Sequence, residues 1–225
     1  MRGAPNGKLV EVRGLRYSYP DGTQALNGVD FHLDSGECVA LLGANGSGKT
    51  TFVLHLSSLL RGQGTVEVRG TAGLVFQDSD DQLFMPTVLE DVAFGPRNLG
   101  LSADAAQQRA RQALDRVGMS HVADKAPYHL SAGEKRRAAI AGVLAMEPDL
   151  LIFDEPTTFL DPPAERELTK LLRELPQAKL LVTHDVPFAR SLATRAVFFE
   201  HGRVAGDGPV DEIIARYDWG FPQLP

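Results

Sequence analysis

A single cysteine, Cys38, stands among 225 residues. That excludes an intramolecular disulfide framework and reads as a small apolar core residue. Long hydrophobic runs are missing as well. The greasiest stretch, Ala138 to Met146, falls well short of the ~18 residues that a membrane-spanning helix needs. The amino-terminal Met1-Arg2-Gly3-Ala4-Pro5-Asn6-Gly7 carries no apolar segment of the secretory-signal kind. Positive charge is in deficit, with 23 Lys and Arg against 29 Asp and Glu and a net charge of −6. Such a chain has no broad attraction for nucleic acid or acidic lipid. No internal repeat, heptad run or low-complexity tract is found. These absences predict a cytoplasmic protein, and 43% hydrophobic residues suffice for one large domain, or one domain with a subdomain.

Against that background one pattern dominates. Gly43-Ala44-Asn45-Gly46-Ser47-Gly48-Lys49-Thr50 is G-x-x-x-x-G-K-T, the phosphate-binding loop. It follows the apolar strand Cys38–Leu42 and opens a helix that begins Thr51-Phe52-Val53-Leu54-His55-Leu56 and is predicted to run to about Leu60. Successive N–H groups of such a loop form an anion nest, and the helix dipole points at the same place. Gly43, Asn45, Gly46, Ser47, Gly48, Lys49, Thr50 and Thr51 are therefore the candidate nucleotide contacts. Lys49 is expected to reach the β- and γ-phosphates and the Thr50 hydroxyl to hold Mg²⁺. The chain is expected to bind a nucleoside triphosphate.

Further strands end in chemistry. Leu150–Phe153 is an apolar strand that runs into Asp154 and Glu155; Asp154 is placed for Mg²⁺ and Glu155 to polarise the attacking water. His184 follows the buried-strand pattern Leu180-Leu181-Val182-Thr183 and is placed against the γ-phosphate or the water. Gln77 ends Leu74-Val75-Phe76, where its amide can serve as a metal or water ligand. Strand patterns are read at 9–19, 29–33, 65–69, 73–76, 179–182 and 196–200, with a turn at Pro20-Asp21-Gly22. Gly62-Gln63-Gly64 reads as a tight connection. The stretch from Thr87 to Met146 is helical, with capping-box patterns at Thr87–Glu90 and Ser131–Glu134, and further helices are predicted at 165–175 and 186–192. Alternating strands and helices imply a parallel sheet wrapped by helices. The expectation is α/β: a nucleotide core at 1–76 and 146–225, and an inserted helical lobe at 77–145.

Leu130-Ser131-Ala132-Gly133-Glu134-Lys135-Arg136-Arg137 opens a helix on small residues and a serine, a second anion site. At this segment the chain resembles the ATP-binding cassette (ABC) ATPases, whose signature is Leu-Ser-Gly-Gly-Gln. The resemblance covers nearly the whole sequence in order: P-loop, Gln77, Ser131, Asp154-Glu155, Asp161, His184. It implies a P-loop NTPase fold with a mixed β core, a small antiparallel β subdomain and a helical subdomain. It also implies that Ser131, Gly133 and Glu134 contact ATP held by a second subunit, with Asp161 at the same seam. Tyr19 is similar to the aromatic that stacks on adenine, a contact of roughly 1–3 kcal/mol; Tyr17 is the competing choice. Three departures stand out. Ala132 replaces a glycine, Glu134 replaces the usual glutamine, and Phe159 is bulky where the family has a small residue.

A narrower resemblance lies in Val75–Phe84, Thr87–Pro96 and Ala139–Pro148, which are similar to the ATPases of energy-coupling factor (ECF) importers. It implies a motor for uptake of a small solute, with cobalt or nickel ahead of a vitamin such as biotin. Its partners would be a transmembrane coupling subunit and a substrate-binding membrane subunit. The 77–96 region would be the docking face, and the chain would sit at the cytoplasmic face of the membrane. A homodimer is the simpler expectation, and a heterodimer with a related ATPase stays open. So do a soluble ABC ATPase in DNA repair or translation, and an ATP-binding scaffold without turnover. The segment before Gln77 is shorter than the family's, and the chain ends soon after Leu224, leaving little room for a further domain.

Overall fold

The computed structural model describes residues 7–220. The amino-terminal segment searched for a signal and the chain end at Leu224 lie outside the described residues. The described residues pack as two compact units, one comprising 7–74, 149–155 and 176–220, the other 75–148 and 156–175.

The first unit is built on β-sheet. Strands β1 (Lys8–Ser18), β2 (Gln24–Asp34) and β4 (Gln63–Val68) form an antiparallel sheet in the order β2-β1-β4. The β1–β2 hairpin closes where Gly22 N donates to Tyr19 O at 2.9 Å, on the Pro-Asp-Gly turn read from the sequence. The second sheet has the order β5-β6-β7-β3-β8-β9, with β3 (Cys38–Leu42), β5 (Ala72–Val75), β6 (Leu150–Asp154), β7 (Ala178–Val182), β8 (Arg195–Glu200) and β9 (Arg203–Pro209). β6, β7, β3 and β8 run parallel, and β9 returns antiparallel to β8. Strands β6 and β7 are buried at every position, hence their apolar runs Leu150–Phe153 and Leu180–Val182. Successive side chains of β8 serve two faces. Phe199 meets Phe52 of helix α1 (Lys49–Leu56) at 5.2 Å between ring centroids. Phe198 joins the cluster formed by α6 (Val186–Leu192) and α7 (Val210–Arg216) with Ile213 and Ile214. Burial pushes the half-buried Cys38 thiol up to about 11, so it is no thiolate at neutral pH.

The second unit is helical: α2 (Val88–Asn98), α3 (Ala103–Arg116), α4 (Ala132–Leu144) and α5 (Pro162–Glu174). Ala106, Ala110, Ala113 and Leu114 make a single buried stripe on α3, spaced as one helix face requires. Side-chain caps start all four: Thr87, Ser102, Ser131 and Asp161 each accept a backbone N–H.

Some boundaries depart from the sequence reading. Helix α1 stops at Leu56, not near Leu60, because Ser58 turns left-handed (φ 59°) and Leu59 and Leu60 both donate back to Leu54 O. Helix α5 begins at Pro162, three residues early, since Asp161 caps it by accepting from Ala164 N at 2.9 Å. Gln63 and Gly64 are not a tight connection; they already belong to β4. Strand β9 and helix α7 were not foreseen. The Gly- and Asp-rich Arg203–Pro209 has little intrinsic strand preference and is held by pairing with β8.

Candidate functional site

The loop between β3 and α1 is shaped by close backbone packing. A side chain on Gly43 would run into the Phe199 carbonyl, and one on Gly48 into the Ala25 carbonyl; both positions also have positive φ, 137° and 105°. Gly48 is the N-cap of α1 and supplies no side-chain cap, so the first N–H groups of that helix are open to an anion. Lys49 lies buried at the centre, its Nζ donating to Gly43 O at 2.6 Å and Ala44 O at 2.9 Å. Asn45 and Gly46 are exposed on the rim, while Ser47 is buried with its hydroxyl unpartnered.

The carboxyl ends of β6 and β7 bring three more predicted residues together with this loop. Thr50 Oγ1 donates to Asp154 Oδ2 at 3.3 Å. Burial raises the Asp154 carboxyl above its ordinary range and lowers the Lys49 ammonium below its own; each pulls the other back in part. A buried carboxylate beside a hydroxyl, under-compensated in this way, is a fitting oxygen donor set for a divalent cation that takes its other ligands from water and phosphate. Glu155 follows in the left-handed region (φ 46°), its N–H donating to Val182 O at 2.9 Å. His184 Nδ1 lies 2.8 Å from Glu155 Oε2. A carboxylate steered by an imidazole is the arrangement of an oriented general base.

Tyr19 donates to or accepts from Thr51 Oγ1 at 2.9 Å, which ties its half-exposed ring to the first turn of α1. Tyr17 is edge-on between Tyr19 and His55, at 5.1 and 4.9 Å, and has less free face.

In the helical unit Ser131 stands exposed at the start of α4, with the foreseen capping box formed. Its N–H and its hydroxyl donate to Glu134 Oε2 at 2.9 and 2.8 Å, and Glu134 N donates back to the hydroxyl at 3.3 Å. These bonds hold the Glu134 carboxyl below its usual range. At α2 the pattern is only half realised, because Glu90 bonds the Thr87 hydroxyl. Gly133 lies against Ala164 of α5. Gln77 is exposed, and its carbonyl accepts from Arg136 at 2.6 Å. Asp161 is spent on its cap, a role signalled by the Pro-Pro that follows it. Phe159 is 77% exposed in a left-handed conformation, φ 66°, rare for a bulky residue.

Two features were not read from the sequence. One is Arg136, hidden within a basic run. The other is Asp91, buried in a groove of about 370 Å³ walled by Leu83, Phe84, Phe94, Leu99 and Met146. Asp91 Oδ1 accepts from Phe84 N and Met85 N at 2.9 Å, and its second oxygen is buried and unpartnered.

Comparison with known proteins identifies the fold. The ABC transporter family matches residues 26–158. A Geobacter sulfurreducens protein designated an ABC transporter ATP-binding protein is 50% identical, covering 92% of this chain and 89% of its own. The energy-coupling factor transporter ATP-binding protein EcfA of Methanothermobacter thermautotrophicus is 43% identical over 92% of this chain and 72% of its own. Among solved structures, cbiO1 of Clostridium perfringens, part of the ABC transporter complex cbiONQ, superposes with a TM-score of 0.83 at 36% identity over 95% and 93% of the two chains. A dimeric ATP-binding cassette in a post-hydrolysis state with ADP and Pi gives 0.78 at 27% identity over 89% and 98%. The chain belongs to the ABC transporter family as an ATP-binding subunit, an ATPase.

Proposed function

We propose that this subunit is the motor of an ECF-type importer, turning ATP binding and hydrolysis into uptake of a small solute. The observation that carries the catalytic half is the Glu155–His184 pair beside Lys49 on one sheet edge. The open N-terminus of α1 and Lys49 hold the β- and γ-phosphates, while Thr50 and Asp154 would hold Mg²⁺, and the Gln77 amide remains the further ligand expected from the sequence. That ion neutralises phosphate charge when bound. Glu155 takes the proton of the attacking water, and His184 orients the carboxylate. Tyr19 covers the adenine, its hydroxyl anchored on Thr51. Ser131, Gly133 and Glu134 meet the γ-phosphate on a second subunit, with Asp161 beside them. ATP is thus bound tightly only in the closed dimer, and hydrolysis reopens it. One chain carries both halves of the site, which favours a homodimer.

The importer half is supported by the relatives and by the Asp91 groove. An apolar trough with one buried carboxylate oxygen unpartnered suits a membrane-subunit segment with an apolar face and one donor. Among the described residues no group of three or more His, Cys, Asp or Glu could hold a metal. Cobalt or nickel is the first candidate cargo by resemblance, a vitamin the second, and it would be chosen by the membrane subunits. No described helix is long and apolar enough to cross a membrane; we place the chain at the cytoplasmic face through those partners.

The test is purification of the tagged chain from detergent-extracted membranes of its own host. Integral membrane subunits should co-purify. Phe84→Asp, at a site 61% exposed, should release them with ATPase activity kept. Glu155→Gln should keep them and slow turnover by about 10²–10⁴. A chain recovered free of membrane subunits, or a Glu155→Gln variant with parental turnover, overturns the corresponding half.

A further inference from the structure

Arg136, one turn into α4, is only 3% exposed, and no carboxylate is within ion-pair reach of it among the described residues. Its two terminal nitrogens donate to Phe76 O and Gln77 O, each at 2.6 Å, while Nε is buried without a partner. The next cation, Lys135, grips Asp80 at 2.6 Å. Helix α4 therefore holds residues 76–80 by two adjacent side chains. Both line a small cavity of about 230 Å³ with Gln77, Thr158, Phe159 and Leu160.

A cation buried against two carbonyls, its burial offset only in part by the Asp78 carboxylate, is an expensive way to satisfy two acceptors. A neutral amide would serve one of them with far less desolvation. What the guanidinium adds is geometry. Its rigid fork bridges two successive carbonyls and fixes the peptide plane from which the Gln77 side chain departs. The same helix begins at Ser131, five residues earlier in the sequence. Fork and signature serine are thus joined by a single hydrogen-bonded rod.

We propose that Arg136 is a positioning residue that locks the Phe76–Gln77 backbone to the signature helix. Gln77, serving its own chain's nucleotide, and Ser131, serving the partner's, then shift as one piece and link the two ATP sites. This rests on the roles given to Gln77 and Ser131 above. Coupling of that sort is a free energy between sites and shows as cooperativity.

The experiment uses the full chain in its membrane complex. It compares Arg136→Met, Arg136→Gln and Arg136→Lys with Gln77→Ala and Ser131→Ala in ATP-titrated hydrolysis and in Mg²⁺ titration, with thermal melts as the check on folding. Arg136→Met should lower kcat about 10- to 100-fold and reduce the Hill coefficient from near 2 toward about 1, two being the number of sites. It should also raise the Mg²⁺ needed for half-maximal rate, as Gln77→Ala does. Arg136→Lys, able to make one bond, should recover part of each, and the Arg136→Met/Gln77→Ala double variant should be no worse than Gln77→Ala alone. If Arg136→Met does not fold, the Lys and Gln variants decide on the same readouts. Parental kcat and Hill coefficient in a folded Arg136 variant, with Gln77→Ala impaired, overturns the proposal and spares the Gln77 role. Parental behaviour of Gln77→Ala, or a parent Hill coefficient of about 1, removes the link itself and overturns it too.

Discussion

Two helices of this subunit begin where a phosphate is expected, and they are built in opposite ways. Helix α1 starts on a glycine with no side-chain cap, with a buried lysine in the concavity and walls so close that a methyl would strike a carbonyl. Helix α4 starts exposed, its serine already satisfied by its own Glu134. The first end is preorganised, because its N–H groups have nothing else to bind and the cation is in place. The second is closed on itself and must exchange a carboxylate for a phosphate. In the proposed dimer one site can bind within a single chain, whereas the other would need ATP and a partner together to displace a bond it already has.

Lys49→Ala offers the largest contrast. It removes the cation buried in the P-loop concavity and should abolish measurable ATP binding by the isolated subunit in equilibrium titration. Undiminished affinity would show that the loop's N–H groups suffice alone. The same change in one protomer of a mixed dimer should leave Ser131 of that protomer competent, which separates the two ends directly.

Much of this contrast could be read in advance. The P-loop, Asp154, Glu155 and His184 sit at the ends of apolar strands, and hydrophobic runs bounded by glycine or acid mark those ends in any parallel sheet. The capping box at Ser131 was equally legible, since it needs only two residues at fixed spacing. Other features depend on tertiary structure. Strand β9 takes its form from β8 and not from its own composition. Arg136 finds its carbonyls 60 and 59 residues away, and nothing local distinguishes it from Arg137, which pairs with Glu167 on α5. The Asp91 groove depends on packing among helices, which periodicity predicts as a face but not as a hollow.

A middle-sized effect concerns the charge stored beside the preorganised end. Burial lifts the Asp154 carboxyl in the folded state, partly offset by the Thr50 hydroxyl and by Lys49. Between the unfolded and the folded values the native state therefore binds more protons than the unfolded one, and stability falls as pH rises through that interval. Asp154→Asn removes the penalty. The nucleotide-free variant should melt higher than the parent at pH 8, by about 2–4 °C for each kcal/mol relieved. The gain should vanish at pH values below the ordinary carboxylate range, where the parent is protonated in both states. Hydrolysis should be lost at the same time. A gain that grows toward acid would reverse the sign of the argument and mean that Asp154 is stabilised as a carboxylate in the empty fold.

The smallest effect probes the self-closed end. In Glu134→Gln the side-chain oxygen can still accept from the Ser131 N–H, so the capping box and the helix survive, and thermal stability should change by no more than a few tenths of a kcal/mol. What disappears is a negative charge at the point where the proposed dimer brings a partner's γ-phosphate, and with it the strongest acceptor holding the Ser131 hydroxyl. Because the site is open to solvent, screening keeps the gain near that of an exposed charge pair, about 0.2–1 kcal/mol, or roughly a 1.4- to fivefold lower ATP concentration for dimer closure. The shift should shrink with added salt, which weakens an exposed charge but not a steric effect. Sedimentation of the Glu155→Gln background across an ATP titration, at low and high ionic strength, measures both. If Glu134→Gln closes no more easily than its parent, Glu134 already turns away from the incoming phosphate, and the signature end is as ready for its ligand as the P-loop is.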